Sequence, residues 1–220
     1  MPLVAAAVCP HPPLLVPALA AGAAGELDPL RVACDAAVAA LLAAQPDRLA
    51  VVGADTPPHA SSFAPWGVPV SVGLTGPLSL LVGAWLLARA GARADANDAV
   101  ASDLDPLACA RIGATLAASA ARVALLVMGD GSACRGVKAP GYADDRAEPF
   151  DTAVAEALAK ADIDGLLALD PRLAAHLHAI GRAPWQVLAG AAAGRSWRGD
   201  LRFNDAPYGV AYFVASWEPA

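Results

Sequence analysis

Two histidines stand in proline-stiffened settings, His11 in the stretch CPHPPLL and His59 in TPPHASSF. Each follows an apolar run that reads as a strand. Proline fixes the local backbone and removes an N–H donor, so both imidazoles are expected in defined places. Imidazole suits Fe, Zn, Ni and Cu, and two such loops side by side would start a metal site. Ordinary loop histidines are the competing reading, because two histidines without a fixed spacing make a weak motif. A third loop carries the remaining chemistry. LLVMGDGSACRG, residues 125–136, runs from an apolar strand into glycines with Asp130, Ser132, Cys134 and Arg135. Strand-end loops of this kind hold catalytic groups in many α/β enzymes.

The loop fits no standard phosphate or nucleophile motif. The Gly-Lys-Ser/Thr ending of a P-loop is absent. Ala133 and Cys134 follow Ser132, so it is not a G-x-S-x-G elbow. Cys134 would act as a nucleophile only with a base or positive field beside it, and an inert thiol is the competing reading. Asp130 would cap the following turn or bond the loop backbone. Arg135 and Lys138 are candidates to hold an anionic substrate at a pocket mouth. Trp66 and Trp185 would line an aromatic pocket or pack in the core.

The elements that must position these groups alternate. Strands are expected over residues 3–9, 48–54, 68–74 and 123–129. Helices are expected over 27–45, 77–92, 105–122, 149–162 and 171–180, with another from about Pro184. In the first helix Asp28 is placed to cap and Pro29 to take the first position. The end reads as two strands joined by a turn at 204–209. Alternating strands and helices predict a three-layer α/β/α sandwich with a central, mostly parallel or mixed sheet, in one domain over residues 1–220. Sites in such sheets form beyond the strands' carboxyl ends. Here those are the loops at 10–17, 55–66 and 130–142.

Composition sets the outer limits. The 220 residues are 57% hydrophobic and 16% charged, which argues against disorder. A net charge of −6 argues against a broad nucleic-acid surface. The four cysteines, Cys9, Cys34, Cys109 and Cys134, form no CxxC pair, which disfavours a zinc knuckle and fits a reducing compartment. The apolar N-terminus lacks a basic region and is broken by prolines, so it reads as mature sequence. The apolar run at 78–88 is too short to span a bilayer before Arg89. A cytoplasmic protein with no membrane and no nucleic-acid partner is expected.

Several segments taken in order resemble the class III extradiol ring-cleavage dioxygenase superfamily, the LigB-like fold that includes the Memo proteins. These are the early strand with PHPP, PHASSFAPWGVPVSVGL, GYADDRAEPFDTAVAEAL and IGRAPWQVLAGA. The resemblance runs through most of the chain. It implies a LigB-like fold and places His11 and His59 as metal ligands, with Fe(II) as cofactor and Zn as the alternative. It also marks departures. The family's catalytic His in a GDLSH-like loop is replaced by Ala133 in GDGSA, and loss of a positioned acid/base typically costs about 10²–10⁴-fold. The carboxylate ligand of the dioxygenases, or the Cys of the Memo branch, has no counterpart in AAHLHAIGRAPWQ, where Ile180 stands. His178 is the first candidate for a third metal ligand, with His176, Asp55 and solvent as others. His176 and His178 are two apart and would point differently on a helix. Asp130, Ser132 or Cys134 would have to replace the missing acid/base.

Two functions follow. One is an extradiol dioxygenase-like, non-haem metal-dependent oxidoreductase acting on a small aromatic or anionic molecule. The other is a catalytically inactive relative kept as a metal- or ligand-binding or regulatory protein. A homodimer is the expected assembly.

Overall fold

The computed structural model describes residues 2–220. In chain order its strands are β1 (Leu3–Cys9), β2 (Arg48–Asp55), β3 (Ala96–Ala101), β4 (Val123–Met128), β5 (Trp197–Asp205) and β6 (Tyr212–Pro219). The helices are α1 (Pro17–Ala20), α2 (Asp28–Ala43), α3 (Leu78–Arg89), α4 (Pro106–Ala117), α5 (Ala147–Lys160), α6 (Ile163–Leu167), α7 (Pro171–His176) and α8 (Arg182–Ala192).

VALLVM in β4 has no polar side chain, and every one of its residues is buried. A strand apolar on both faces needs cover on both faces. Val123, Leu125 and Val127 pack into one cluster with α4, α5 and α8. Ala124, Leu126 and Met128 pack into the other with α2 and α3. These are the helix layers of an α/β/α sandwich, as the alternating sequence predicts.

The sheet order is β3-β2-β4-β1-β6-β5. β1, β2, β3 and β4 are parallel, whereas β6 runs antiparallel to β1 and β5 antiparallel to β6. The chain leaves β1, builds β2 and β3 outward, then returns to insert β4 between β1 and β2. The carboxyl ends of three adjacent strands therefore open into neighbouring loops, the usual place for a site in an open α/β sheet.

Three local expectations change. Residues 68–74 form no strand; their chain is held by an isolated Ala60–Gly76 bridge, with Pro69 and a left-handed Gly73 (φ 78°) interrupting any ladder. The strand beside β2 is instead the polar ANDAVA of β3, in register from Ala50–Ala96 to Asp55–Ala101. Asp28 does not cap α2 but lies inside it, where its carboxylate accepts from Arg31 Nη2 at 2.8 Å. Buried Arg31 also donates to the Leu15 carbonyl, fastening α2 to the chain that follows His11. The helix expected to reach residue 180 stops at His176, and His178 takes a left-handed φ of 54°. α8 starts at Arg182, which puts Pro184 in its first turn. Among the described residues no helix is long and apolar enough to cross a membrane.

Candidate functional site

β1 ends at Cys9, whose carbonyl accepts from Gly129 N–H at 2.9 Å, so the His11 and Asp130 loops leave the sheet together. Prolines 10, 12 and 13 carry no N–H, which leaves His11 as the amide donor of this turn. It donates to Asp130 Oδ1 at 2.7 Å. His11 is 1% exposed, and its Nδ1 lies 3.6 Å from the same oxygen. Neither ring nitrogen has a hydrogen-bond partner among the described residues. Leaving a buried polar group unpaired costs about 1–3 kcal/mol. Asp130 is also buried, and that burial pushes its carboxyl above the usual range, while His11 opposes the shift.

Two glycines let this loop form. A Cβ on Gly129 would stand 2.6 Å from the Gly181 Cα at the start of α8. A Cβ on Gly131 would meet Phe213 at 2.7 Å and Asp151 Oδ1 at 2.9 Å. The Asp130 carbonyl accepts from Gly181 N–H, tying the loop to α8.

The following residues turn inward. Ser132 is fully buried; its hydroxyl donates to Asp151 Oδ2 at 2.6 Å and its N–H to Asp151 Oδ1 at 2.9 Å. Asp151 comes from the Phe150–Asp151 pair of α5, and its carboxyl is raised by burial, with the Ser132 bonds opposing. Cys134 is 2% exposed, and its Sγ donates to the Gly141 carbonyl at 3.4 Å. Burial and the nearby Asp144 and Asp151 push its thiol pKa up. Two of the three candidates to replace the missing acid/base, Ser132 and Cys134, are thus buried and turned to partners within the chain. Ser132 spends its hydroxyl on Asp151, and Cys134 is a protonated thiol facing carbonyls. Arg135 lies 3.5 Å from both Asp151 and Glu148, so carboxylates of this chain already face its charge. Arg135 and exposed Lys138 do line a cleft of about 410 Å³ with Tyr208 and Gly209.

The three expected metal histidines are not gathered. His59 is exposed and its Nε2 lies 2.5 Å from Asp55 Oδ1. His178 is exposed beside Gly141; a Cβ there would meet its ring at 2.7 Å and the Ala133 carbonyl at 2.9 Å. His176 is exposed too. Among the described residues no three His, Cys, Asp or Glu side chains converge as a metal site. Trp66 packs on Phe63 and buried Trp185 on Phe213, both edge to face, so the two indoles have separate aromatic partners.

The sequence reading missed Tyr212. It opens β6 next to Ala211, whose N–H and carbonyl bond Ser132 and Gly131. Tyr212 is 3% exposed, and its phenol is pushed up by burial and by the charge of Asp130. Its only sequence signal was a tyrosine at a strand start. The site that forms is thus a buried imidazole and carboxylate, bordered by a neutral phenol. Such a pair can share a proton or offer two donors to a cation.

No protein-family model matches the chain, and no curated protein is significantly similar to it.

Proposed function

We propose that this chain is a class III extradiol dioxygenase-like protein that binds a divalent metal at His11 and there takes a small aromatic or anionic molecule. The observation that carries this reading is the buried His11 imidazole with both nitrogens unpaired, 3.6 Å from a buried carboxylate. The donor chemistry fits in part. His11 and Asp130 supply one nitrogen and one oxygen donor, a set used by Fe(II) and Zn(II). A bound metal would act as a Lewis acid toward a ligand oxygen. His59, freed from Asp55, and solvent would complete the shell. His178 lies against the Ala133–Gly141 segment and is a candidate to act on the ligand there.

A second reading, a catalytically inactive binding protein, is favoured by a specific feature. Ala133 stands where the resemblance would place the acid/base, and its neighbours Ser132 and Cys134 face inward.

The test is metal content by mass spectrometry on untagged protein, before and after anaerobic loading with Fe(II) or Zn(II). Stoichiometric metal lost in His11→Ala and weakened in Asp130→Asn and His59→Ala is expected. No retained metal in folded wild type overturns the metal reading. Oxygen uptake with a panel of aromatic diols then separates the two readings. Uptake supports the enzyme, and its absence in metal-loaded protein supports the binding protein.

A further inference from the structure

A wide opening lies at the other end of the sheet from His11. A groove of about 570 Å³ lies at the amino end of β1, against the last turn of α2 and the polar ends of β5 and β6. Its size is that of small-molecule sites, about 300–1,000 Å³. It is independent of the metal reading and uses none of those residues.

Its charges are unbalanced. Arg122, Arg195 and Arg202 line it, with Asp200 and Glu218. Asp200 pairs with Arg202 at 3.0 Å, and Glu218 pairs with Arg198. Arg122 donates through Nε and Nη2 to the Gln45 and Ala44 carbonyls at the end of α2, and Arg195 stacks 5.5 Å from the Trp197 ring centre. Neither of these two guanidiniums has a carboxylate partner among the described residues. Ser216 accepts from Arg202 Nε at 2.9 Å, which leaves its own O–H to donate. Positive charge thus gathers in one groove of a chain whose net charge is −6. The rest of the wall is small and apolar, with Ala5, Ala40 and Ala44. Paired guanidiniums and a hydroxyl recognise phosphate through charge-assisted hydrogen bonds.

We propose that this groove is a second binding site, taking a small phosphomonoester. Arg122, Arg195 and the Ser216 hydroxyl hold its phosphate, and its apolar body lies on Ala5, Ala40 and Ala44.

The test is a ¹⁵N NMR titration of the full chain with phenyl phosphate, with inorganic phosphate as the second probe. Saturable shifts at the Arg195 Nε–H, the Trp197 indole N–H and Ser216 are expected with millimolar probe. Arg195→Gln removes an exposed side chain, so the fold is not at risk, and it should weaken binding about tenfold. Inorganic phosphate should bind more weakly than phenyl phosphate. Absence of saturable shifts at these residues, or an affinity unchanged by Arg195→Gln, overturns the site. Equal affinity for both probes overturns the assignment of the apolar wall.

Discussion

The His11 amide N–H donates to Asp130 Oδ1 at 2.7 Å, while the His11 ring, 3.6 Å from that same oxygen, bonds nothing. One carboxylate oxygen therefore fixes the loop backbone and faces the imidazole. Burial raises the Asp130 pKa above its ordinary 3.8, so the folded state binds this proton more tightly than the unfolded chain does. The ionised carboxylate then destabilises the fold at neutral pH. That penalty fades as pH falls through the raised pKa and is gone below 3.8. Asp130→Asn keeps an acceptor for the amide and removes the charge. With chelator present, its Tm should exceed that of wild type at neutral pH, and the gap should close toward pH 3.8. Added Fe(II) or Zn(II) should raise the wild-type Tm more, because only an ion bound to the folded state stabilises it. A lower Tm for the variant at neutral pH in chelator would sink this account.

Ser132 is placed as a strut. Its hydroxyl and N–H both bond Asp151, and all three groups are buried. Ser132→Ala should cost about 1–3 kcal/mol by urea unfolding, because Asp151 loses a buried partner. Metal content should stay at the wild-type level. A stable variant with altered ligand or metal binding would return Ser132 to the site.

Cys134 should behave as an inert thiol. It is 2% exposed, and burial first, then Asp144 and Asp151, hold its pKa above the ordinary value. The other three cysteines are buried as well. Ellman's reagent should therefore label the native protein slowly at neutral pH and reach four thiols per chain only in denaturant. Fast labelling at Cys134 in native protein would show a thiolate that the geometry does not support.

What the sequence made legible was what backbone chemistry enforces. Proline-bound His11 and the apolar run at 123–128 stand where their residue types require. β3 escaped because ANDAVA has little apolar pattern; it pairs at the sheet edge, where Asp95 accepts from Leu49 N–H and returns its own N–H to Leu49. The valines near residue 70 looked like a strand, but edge pairing with β2 was already taken. Tyr212 and the roles of Ser132 and Asp151 depend on strands and helices far apart in sequence. No local pattern announces such contacts. The groove at Arg195 is of the same kind, because its charges come from two connecting segments and two strands.

The contact between α4 and α8 rests on two glycines, each facing the backbone of the other helix. A Cβ on Gly113 of α4 would lie 1.9 Å from the Val187 carbonyl of α8, and one on Gly190 of α8 would lie 2.2 Å from the Ala110 carbonyl of α4. Backbone cannot yield as a flexible side chain can, so alanine at either place must push the helices apart. α8 starts at Arg182, next to Gly181, which holds the Asp130 carbonyl, so displacement of α8 reaches the candidate site. Gly113→Ala and Gly190→Ala should each cost about 1–3 kcal/mol in urea unfolding, despite alanine's better helix propensity. Gly22→Ala, where a Cβ meets nothing within 4 Å, is the control and should change stability little. If either helix variant matched the Gly22 control, α4 and α8 would not be in the contact described. Metal content of Gly190→Ala, measured alongside, should fall if α8 does position Asp130.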